Sequence, residues 1–385
     1  MRIGIVINAT WNVYNFRLPL VKALLYENHE VVVFTPYDDT ADELKKIGCR
    51  HRDIVMENKG ANPLQDLKLI SKYISLFKEE ALDVVLSYTI KPNIYATIAA
   101  KYCRIPVLAN VTGLGTVFLQ KGFAPMFGKL GLRFALPLTH KVFFQNPDDH
   151  QTLVHAKYIR DSKTEILSGS GIDLEEFVPI EIPANHKFTF TMVARAIYDK
   201  GIIEYVEAAK ILRGEGYDFE FRLLGALEPQ KGLGVDKETV SQWEKLGLIR
   251  YFPHTRDVKP YIAQSDCIVL PSYREGTPRS LIEAASMAKP IITTDVPGCR
   301  ETVIPNYNGL LCEVKSASDL AAKMKEIAAL PAEKLKEMGK NSRKLAELKF
   351  DVRDHIKSYF QAIEQCTGKN LIQVTKNQTV EPDLV

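Results

Sequence analysis

The sequence predicts an α/β fold of two doubly wound, parallel-sheet domains, and three observations carry that reading. Short Val- and Ile-rich runs alternate with helix-like stretches in both halves, as in parallel sheets covered on both faces. The alternation stops at a segment rich in Gly, Pro and acids, "SGSGIDLEEFVPIEIPANH" (168–186), which reads as a linker, and then restarts. At 385 residues the chain also exceeds what one ordinary core supports.

In the first half the strands are "RIGIVIN", "EVVVFTP", "DVVLSY", "VLANVTG" and "KVFFQN". Helical patterns between them cover 16–26, 62–78 and 94–102, and another starts at Pro147. In the second half "KFTFTMVAR", "DFEFRLLG", "IRYFP", "CIVLPS" and "PIITTD" read as strands. Helices are expected over 201–214, 237–246 and 258–264, from Pro278, and through the charged stretch 317–348. The expected domains are 1–170 and 171–350, followed by a helix at 351–366 and a flexible tail at 367–385. Two such domains in tandem set the carboxyl ends of two sheets opposite one another, leaving a cleft of the kind where α/β proteins bind ligands.

Composition narrows the function classes. A net charge of +3 is too small to argue for nucleic acid, and no nucleic-acid partner is expected. Six scattered cysteines without metal-like spacing fit reduced thiols in the cytoplasm. The N-terminal apolar run is too short for a signal sequence, and no apolar stretch is long enough to span a membrane.

The stretch "SYREGTPRSLIEAASMAKP" (272–290) carries the most chemistry. Thr277 is a good N-cap and Pro278 suits a first helical position, so a helix is expected to start there. Its amides would point over Gly276, where a missing side chain lets a ligand approach, and such a terminus attracts anions. Glu275 lies in the turn before it. Eight residues of helical path rotate the chain roughly 80° past whole turns, so Glu283 would flank the same site one layer deeper. Two acids around an anion site suit hydroxyl groups and suggest a ligand with both phosphate and polyol, such as a nucleotide sugar. The plainer alternative is a loop glutamate and a helix-surface ion pair. Arg195 and Lys200, taken alone, would be solvated charges, but they follow the buried-looking strand "FTFTMVA" and so lie at a sheet edge.

These residues resemble the retaining glycosyltransferases of GT-B fold, family 4. "EGTPRSLIEA" matches the E-x7-E motif as Glu275 and Glu283, and "VARAIYDKG" matches the Arg-x4-Lys phosphate motif as Arg195 and Lys200. "LPSYREG" and "PIITTDVPGCRETV" support the match. The resemblance implies that Arg195 and Lys200 bind the nucleotide diphosphate, Glu275 contacts the transferred sugar and Glu283 holds the ribose hydroxyls. Gly276, Thr277 and Pro278 fall in the same donor loop, with His254 in the base-binding loop, where "RYFPHTRDV" has Pro253 in place of a frequent Gly. It also implies a UDP-sugar as donor substrate, no further cofactor and no metal; no D-x-D sequence occurs in the chain.

In the first half the likeness runs to enzymes that lengthen polyprenyl-diphosphate-linked glycans in bacterial N-linked glycosylation or polysaccharide synthesis. It is carried by "VYNFRLPLVKALL" and "VTGLGTVF". UDP-GalNAc is the preferred donor on that likeness. The family's Gly-Gly turn is absent, and Asn15, Phe16 and Arg17 take its place as candidate acceptor residues, with Thr112 and Gly113. The usual catalytic-region His has no equivalent near Asn110. Gly113-Leu-Gly115 lacks the third glycine of a dinucleotide loop and is discounted as one.

Between Lys121 and Lys141, Phe123, Met126, Phe127, Leu130 and Phe134 recur at helical spacing, beside four basic residues and no acid. That is the pattern of an interfacial helix on anionic lipid, here the cytoplasmic leaflet of the inner membrane, or else of a core-facing helix with a basic outer side. Two other readings stay open. They are a nucleotide-sugar epimerase of the same fold and a sugar-binding protein without catalysis.

Overall fold

The computed structural model describes residues 1–56, 63–115, 118, 122–180, 186–228 and 233–371. In chain order the strands of the first sheet are β1 (Arg2–Val6), β2 (Glu30–Thr35), β3 (Arg50–Asp53), β4 (Val84–Tyr88), β5 (Val107–Val111), β6 (Lys141–Phe144) and β7 (Thr164–Ile166). Their spatial order is β3-β2-β1-β4-β5-β6-β7. The second sheet holds β8 (Thr189–Val193), β9 (Glu220–Leu224), β10 (Arg250–Phe252), β11 (Cys267–Leu270), β12 (Ile291–Thr294) and β13 (Gly309–Cys312), ordered β10-β9-β8-β11-β12-β13. Strands pair in parallel, for example Ile3 with Val31 and with Val84, and Ile268 with Thr191 and with Ile291. The order reverses between β1 and β4 in one sheet and between β8 and β11 in the other. Doubly wound sheets bind ligands at such switch points.

By packing, the chain forms two compact units. Of the described residues, one comprises those within 1–109, 134–142 and 356–371, and the other those within 110–133 and 143–355. The first has a core of Val6, Val32, Phe34, Phe77 and Val85 from the sheet and from helix Pro63–Glu80. The core of the second gathers Phe190, Met192, Leu223 and Ile268 with Leu281 and Ile282 of helix Arg279–Ser286.

Several elements depart from the sequence reading for identifiable reasons. Helix Thr10–Phe16 precedes helix Leu18–Tyr26, with Arg17 at their junction, where the sequence suggested one helix starting at Phe16. Strand β3 reads "RHRD" and has no apolar run because it lies at the sheet edge. Its Arg50 and Arg52 instead pair with the fully buried Glu80. The 317–348 stretch is two helices, Ala317–Ala328 and Ala332–Lys349, separated at Pro331, whose ring cannot continue the first.

The helix expected from Pro278 begins at Arg279. Pro278 is its N-cap with ψ 123°, and Thr277 makes no capping bond. The Thr277 hydroxyl lies 2.9 Å from both the Gln145 and Gly276 carbonyls, and its single proton serves one of them at a time.

Part of the expected linker enters the core. Ile172, Leu174 and Phe177 are buried, Ile172 N–H donates to Phe350 O at 2.7 Å, and Arg343 donates to Phe177 O at 2.9 Å. The segment before the tail is held through Leu371, which is fully buried; its N–H donates to Glu364 at 2.9 Å, and Lys369 pairs with Asp83 at 2.6 Å. Tail residues 372–385 lie outside the described residues.

All six cysteines are free thiols. Burial pushes Cys49, Cys299 and Cys312 up to about 12. They remain protonated and behave as small apolar side chains.

Candidate active site

At the carboxyl edge of the second sheet, β8 runs into Arg195 and a short turn, Tyr198–Lys200, and the neighbouring β11 runs into Ser272–Gly276. Gly201 lets the two approach. Its φ is +75°, and a Cβ there would stand 2.1 Å from Pro271 O, so only glycine can follow Lys200. The two loops are stitched together by Tyr273 N–H donating to Asp199 O at 2.9 Å and by Tyr273 OH donating to Glu204 at 2.7 Å.

The result is a polar cluster of three side chains. The Lys200 ammonium pairs directly with Glu275 Oε1, and the two side chains are 21% and 12% exposed. Ser272 Oγ lies 2.7 Å from the same carboxylate oxygen and 3.0 Å from Asp199 O. An ammonium and a carboxylate held at the mouth of a sheet form a neutral pair that can separate, one toward an anion and the other toward hydroxyls.

Glycines fix where Glu275 sits. A Cβ on Gly276 would come within 2.2 Å of Thr112 O and 2.4 Å of Gln145 Oε1. One on Gly298, whose φ is +83°, would come within 2.4 Å of both Glu275 O and Gly276 O. Glu275 N–H donates to Pro297 O at 3.0 Å, and Asn146 Nδ2 donates to Gly276 O at 2.7 Å. Thr112 and Gly113, expected on the acceptor side, therefore pack on the Gly276 loop that carries Glu275. A Cβ on Gly113 would stand 3.0 Å from Gly276 N.

Glu283 lies on the helix behind this loop, 7% exposed, and its Oε1 accepts from Arg279 Nε at 2.9 Å. This is the i,i+4 ion pair of the plainer alternative, but it is buried instead of on the surface. Burial raises the Glu283 carboxyl above its ordinary range, and Arg279 opposes that rise. Arg279 also donates to Gly171 O at 2.7 Å, which anchors the pair to the former linker.

The other expected residues stand on other segments. Arg195 occupies the β8 loop with a side chain 60% exposed and pairs with Glu228 at 3.4 Å. His254 is exposed beyond β10. Asn15 and Phe16 end helix Thr10–Phe16 in the other unit, where Phe16 packs edge-on against Trp11 with ring centroids 5.4 Å apart; Arg17 follows them and is buried.

Sequence reasoning missed Ser272 and Asn146, although both stood within quoted motifs, "LPSYREG" and "KVFFQN". It also missed the buried ion pair of Arg274 with Asp149, which joins the Glu275 loop to helix Pro147–His155. Burial raises the Asp149 carboxyl, against the pull of Arg274, of Asn146 and of the Leu114 N–H.

Comparison with known proteins agrees with this architecture. The family pattern described as "Glycosyl transferases group 1" matches residues 175–345, and "Glycosyl transferase 4-like" matches residues 2–146. A Campylobacter jejuni relative is 29% identical over 345 residues, 84% of this chain and 88% of its own. It is described as an N,N'-diacetylbacillosaminyl-diphospho-undecaprenol alpha-1,3-N-acetylgalactosaminyltransferase. An Escherichia coli UDP-Gal:alpha-D-GlcNAc-diphosphoundecaprenol alpha-1,3-galactosyltransferase is 26% identical over 264 residues, covering 65% of this chain and 67% of its own. Among solved structures, a glycosyltransferase from Rickettsia africae superposes with a TM-score of 0.77 at 20% identity, covering 95% of this chain and 98% of the other.

Proposed function

The chain belongs to the glycosyltransferases of GT-B fold, with group 1 and 4-like domains, and from that premise we propose that it transfers an N-acetylhexosamine from a UDP-sugar to a polyprenyl-diphosphate-linked saccharide. UDP-GalNAc is the preferred donor. The observation that carries the reading is the Lys200–Glu275–Ser272 cluster at the β8/β11 switch point, backed by the buried Glu283. The descriptions of the Campylobacter and Escherichia relatives supply the acceptor class.

On this reading the donor's diphosphate draws Lys200 away from Glu275 and recruits Arg195 from the loop beside it. Amides at the start of helix Arg279–Ser286 face the same anion. The freed Glu275 carboxylate accepts hydrogen bonds from hydroxyls of the transferred sugar, with Ser272 holding its orientation. Glu283 takes the ribose hydroxyls, Gly276, Thr277 and Pro278 shape the loop around the donor, and His254 borders the base. As the anomeric C–O bond breaks, negative charge grows on the leaving phosphate, where Lys200 and Arg195 stabilise it.

The acceptor hydroxyl attacks the same face that the phosphate leaves. Its proton passes to a phosphate oxygen, so the new C–O bond forms with retained configuration and no side-chain base is needed. The charge is handled by Lys200, Arg195 and backbone amides, so no metal enters the scheme, and the UDP-sugar is a substrate with no further cofactor.

A second observation favours a peripheral position on the membrane. In helix Phe123–Ala135, Leu132 and Ala135 are buried while Met126, Phe127, Leu130 and Phe134 are exposed. At 100° per residue these four occupy one arc of about 100°, with Lys129 and Arg133 beside it. The apolar stripe therefore faces outward, which suits an interfacial helix on the anionic cytoplasmic leaflet. Among the described residues no helix is long and apolar enough to cross a membrane.

A screen of labelled UDP-sugars against short prenyl-diphosphate saccharides tests the proposal. Transfer of an N-acetylhexosamine only when acceptor is present supports it. Conversion of the donor without acceptor would indicate an epimerase, and donor binding without turnover would indicate a sugar-binding protein.

A further inference from the structure

Arg17 is the one arginine of the first unit whose surroundings make little sense without a ligand. It follows β1 at the junction of helices Thr10–Phe16 and Leu18–Tyr26 and is 5% exposed. Its guanidinium lies 4.5 Å from the centroid of the Tyr88 ring, and its Nε is buried with no hydrogen-bond partner. Among the described residues no carboxylate pairs with it. Other partly buried arginines are treated differently: Arg222 meets Glu220, Arg274 meets Asp149, and Arg279 meets Glu283. A guanidinium removed from water without a counter-charge is costly, and an aromatic face offsets only part of that cost.

What lies beside it is suited to an anion. Tyr88 ends β4, and the next residue, Thr89, has φ +67° and ψ 164°, a region essentially reserved for glycine. Its hydroxyl is also buried without a partner. The 13-residue helix Ile90–Tyr102 then starts with no side-chain cap and no acid in its first turn. The turn is held in place by Ser87 Oγ donating to Asn93 at 2.7 Å and by Asn93 N–H donating to Thr89 O at 3.0 Å. β1 and β4 are the neighbours at which the strand order reverses, so Arg17 and Thr89 both stand at the carboxyl edge of a switch point.

We infer that Arg17, Thr89 and the first turn of helix Ile90–Tyr102 form a second phosphate site, and that its ligand is the diphosphate of the prenyl-linked acceptor. A guanidinium, a hydroxyl and a helix N-terminus together offer the charged fork and amide donors that phosphate oxygens take. The assignment to the acceptor rests on the proposed function, in which Lys200 and Arg195 of the other unit already serve the donor's diphosphate. The unpaired cation is then the unliganded form of an ion pair completed by substrate.

Calorimetric titration of the full-length protein with inorganic pyrophosphate, at saturating UDP, tests this directly. The wild type is expected to bind pyrophosphate with UDP in place. Arg17→Met should weaken that binding about tenfold or more while leaving UDP affinity unchanged, and should raise the melting temperature by removing an unpaired buried charge. Thr89→Gly, which relaxes the backbone and removes the hydroxyl, should fold normally and bind pyrophosphate several-fold more weakly. Undiminished pyrophosphate binding by Arg17→Met overturns the site, as does a wild type that binds pyrophosphate only by displacing UDP. Arg17-dependent pyrophosphate binding in a protein that accepts no prenyl-diphosphate saccharide would overturn the acceptor assignment and leave the anion site standing.

Discussion

Lys200→Met is the perturbation whose size the structure fixes best, because it retains the aliphatic stem and removes only the charge facing Glu275. Two effects should follow. The variant loses a charge-assisted contact to the leaving diphosphate, about 1.5 to 3 kcal/mol, or roughly a tenfold to hundredfold fall in kcat/KM if fully expressed in the transition state. It also leaves Glu275, 12% exposed, without its cation. Breaking a fully buried pair costs about 3 to 5 kcal/mol, but here Ser272 still faces the carboxylate and water has some access, so about 1 to 2 kcal/mol is expected. For a unit of this size that is a melting shift of roughly 2 to 8 °C. The double variant Lys200→Met/Glu275→Gln removes the orphaned charge, so it should recover most of the melting temperature and none of the activity. Thermal melts and UDP release on the four proteins of the cycle measure both terms. Additive melting shifts, or recovery of activity together with stability, would refute the coupling of this pair to the chemistry.

Glu275→Gln should impair transfer while leaving UDP affinity largely intact, whereas Glu283→Gln should weaken UDP itself; equal losses by calorimetry would contradict that division. Glu283→Gln should also be the more stable protein at neutral pH, and the sign follows from burial. A carboxyl raised in the folded state is destabilising once pH passes its folded value, and the penalty vanishes below the unfolded value of 4.5. The melting difference between variant and wild type should therefore close as pH falls through that window, and a difference that is constant with pH would refute it. Turnover should survive EDTA if, as proposed, Lys200, Arg195 and backbone amides carry the phosphate charge; loss restored by Mn²⁺ or Mg²⁺ would overturn the scheme. Lys129→Glu with Arg133→Glu should reduce sedimentation with anionic liposomes, each residue contributing about 1 kcal/mol of salt-sensitive attraction. It should also slow reaction with a long-chain acceptor and spare a short water-soluble one; equal effects on both would return the helix to an ordinary surface role.

The parallel sheets were legible because a strand buried on both faces must be written as a run of Val, Ile and Leu, and most of the strands were. Strand β3 was hidden because its stability comes from Arg50 and Arg52 reaching Glu80, and a strand held by ion pairs has no hydrophobic period. The 168–180 segment was misread for a related reason: Ile172, Leu174 and Phe177 enter the core at irregular spacing, tied by backbone bonds to Phe350 and Val352. At the site, Glu275 and Lys200 could be picked out as residue types at a sheet edge, but their direct contact depends on Gly201 packing against Pro271, and nothing local encodes that meeting. Ser272 and Asn146 act through single hydrogen bonds to the same loop, which leave no pattern in the sequence.

The proposed transfer is tested by the anomeric configuration of the product formed from UDP-GalNAc and a prenyl-diphosphate saccharide, determined by NMR with UDP release followed in parallel. Retaining transfer gives one α-linked N-acetylhexosamine added per UDP released, only when acceptor is present, and lost in Lys200→Met. A β-linked product, or turnover of the donor that does not depend on the acceptor, would contradict it.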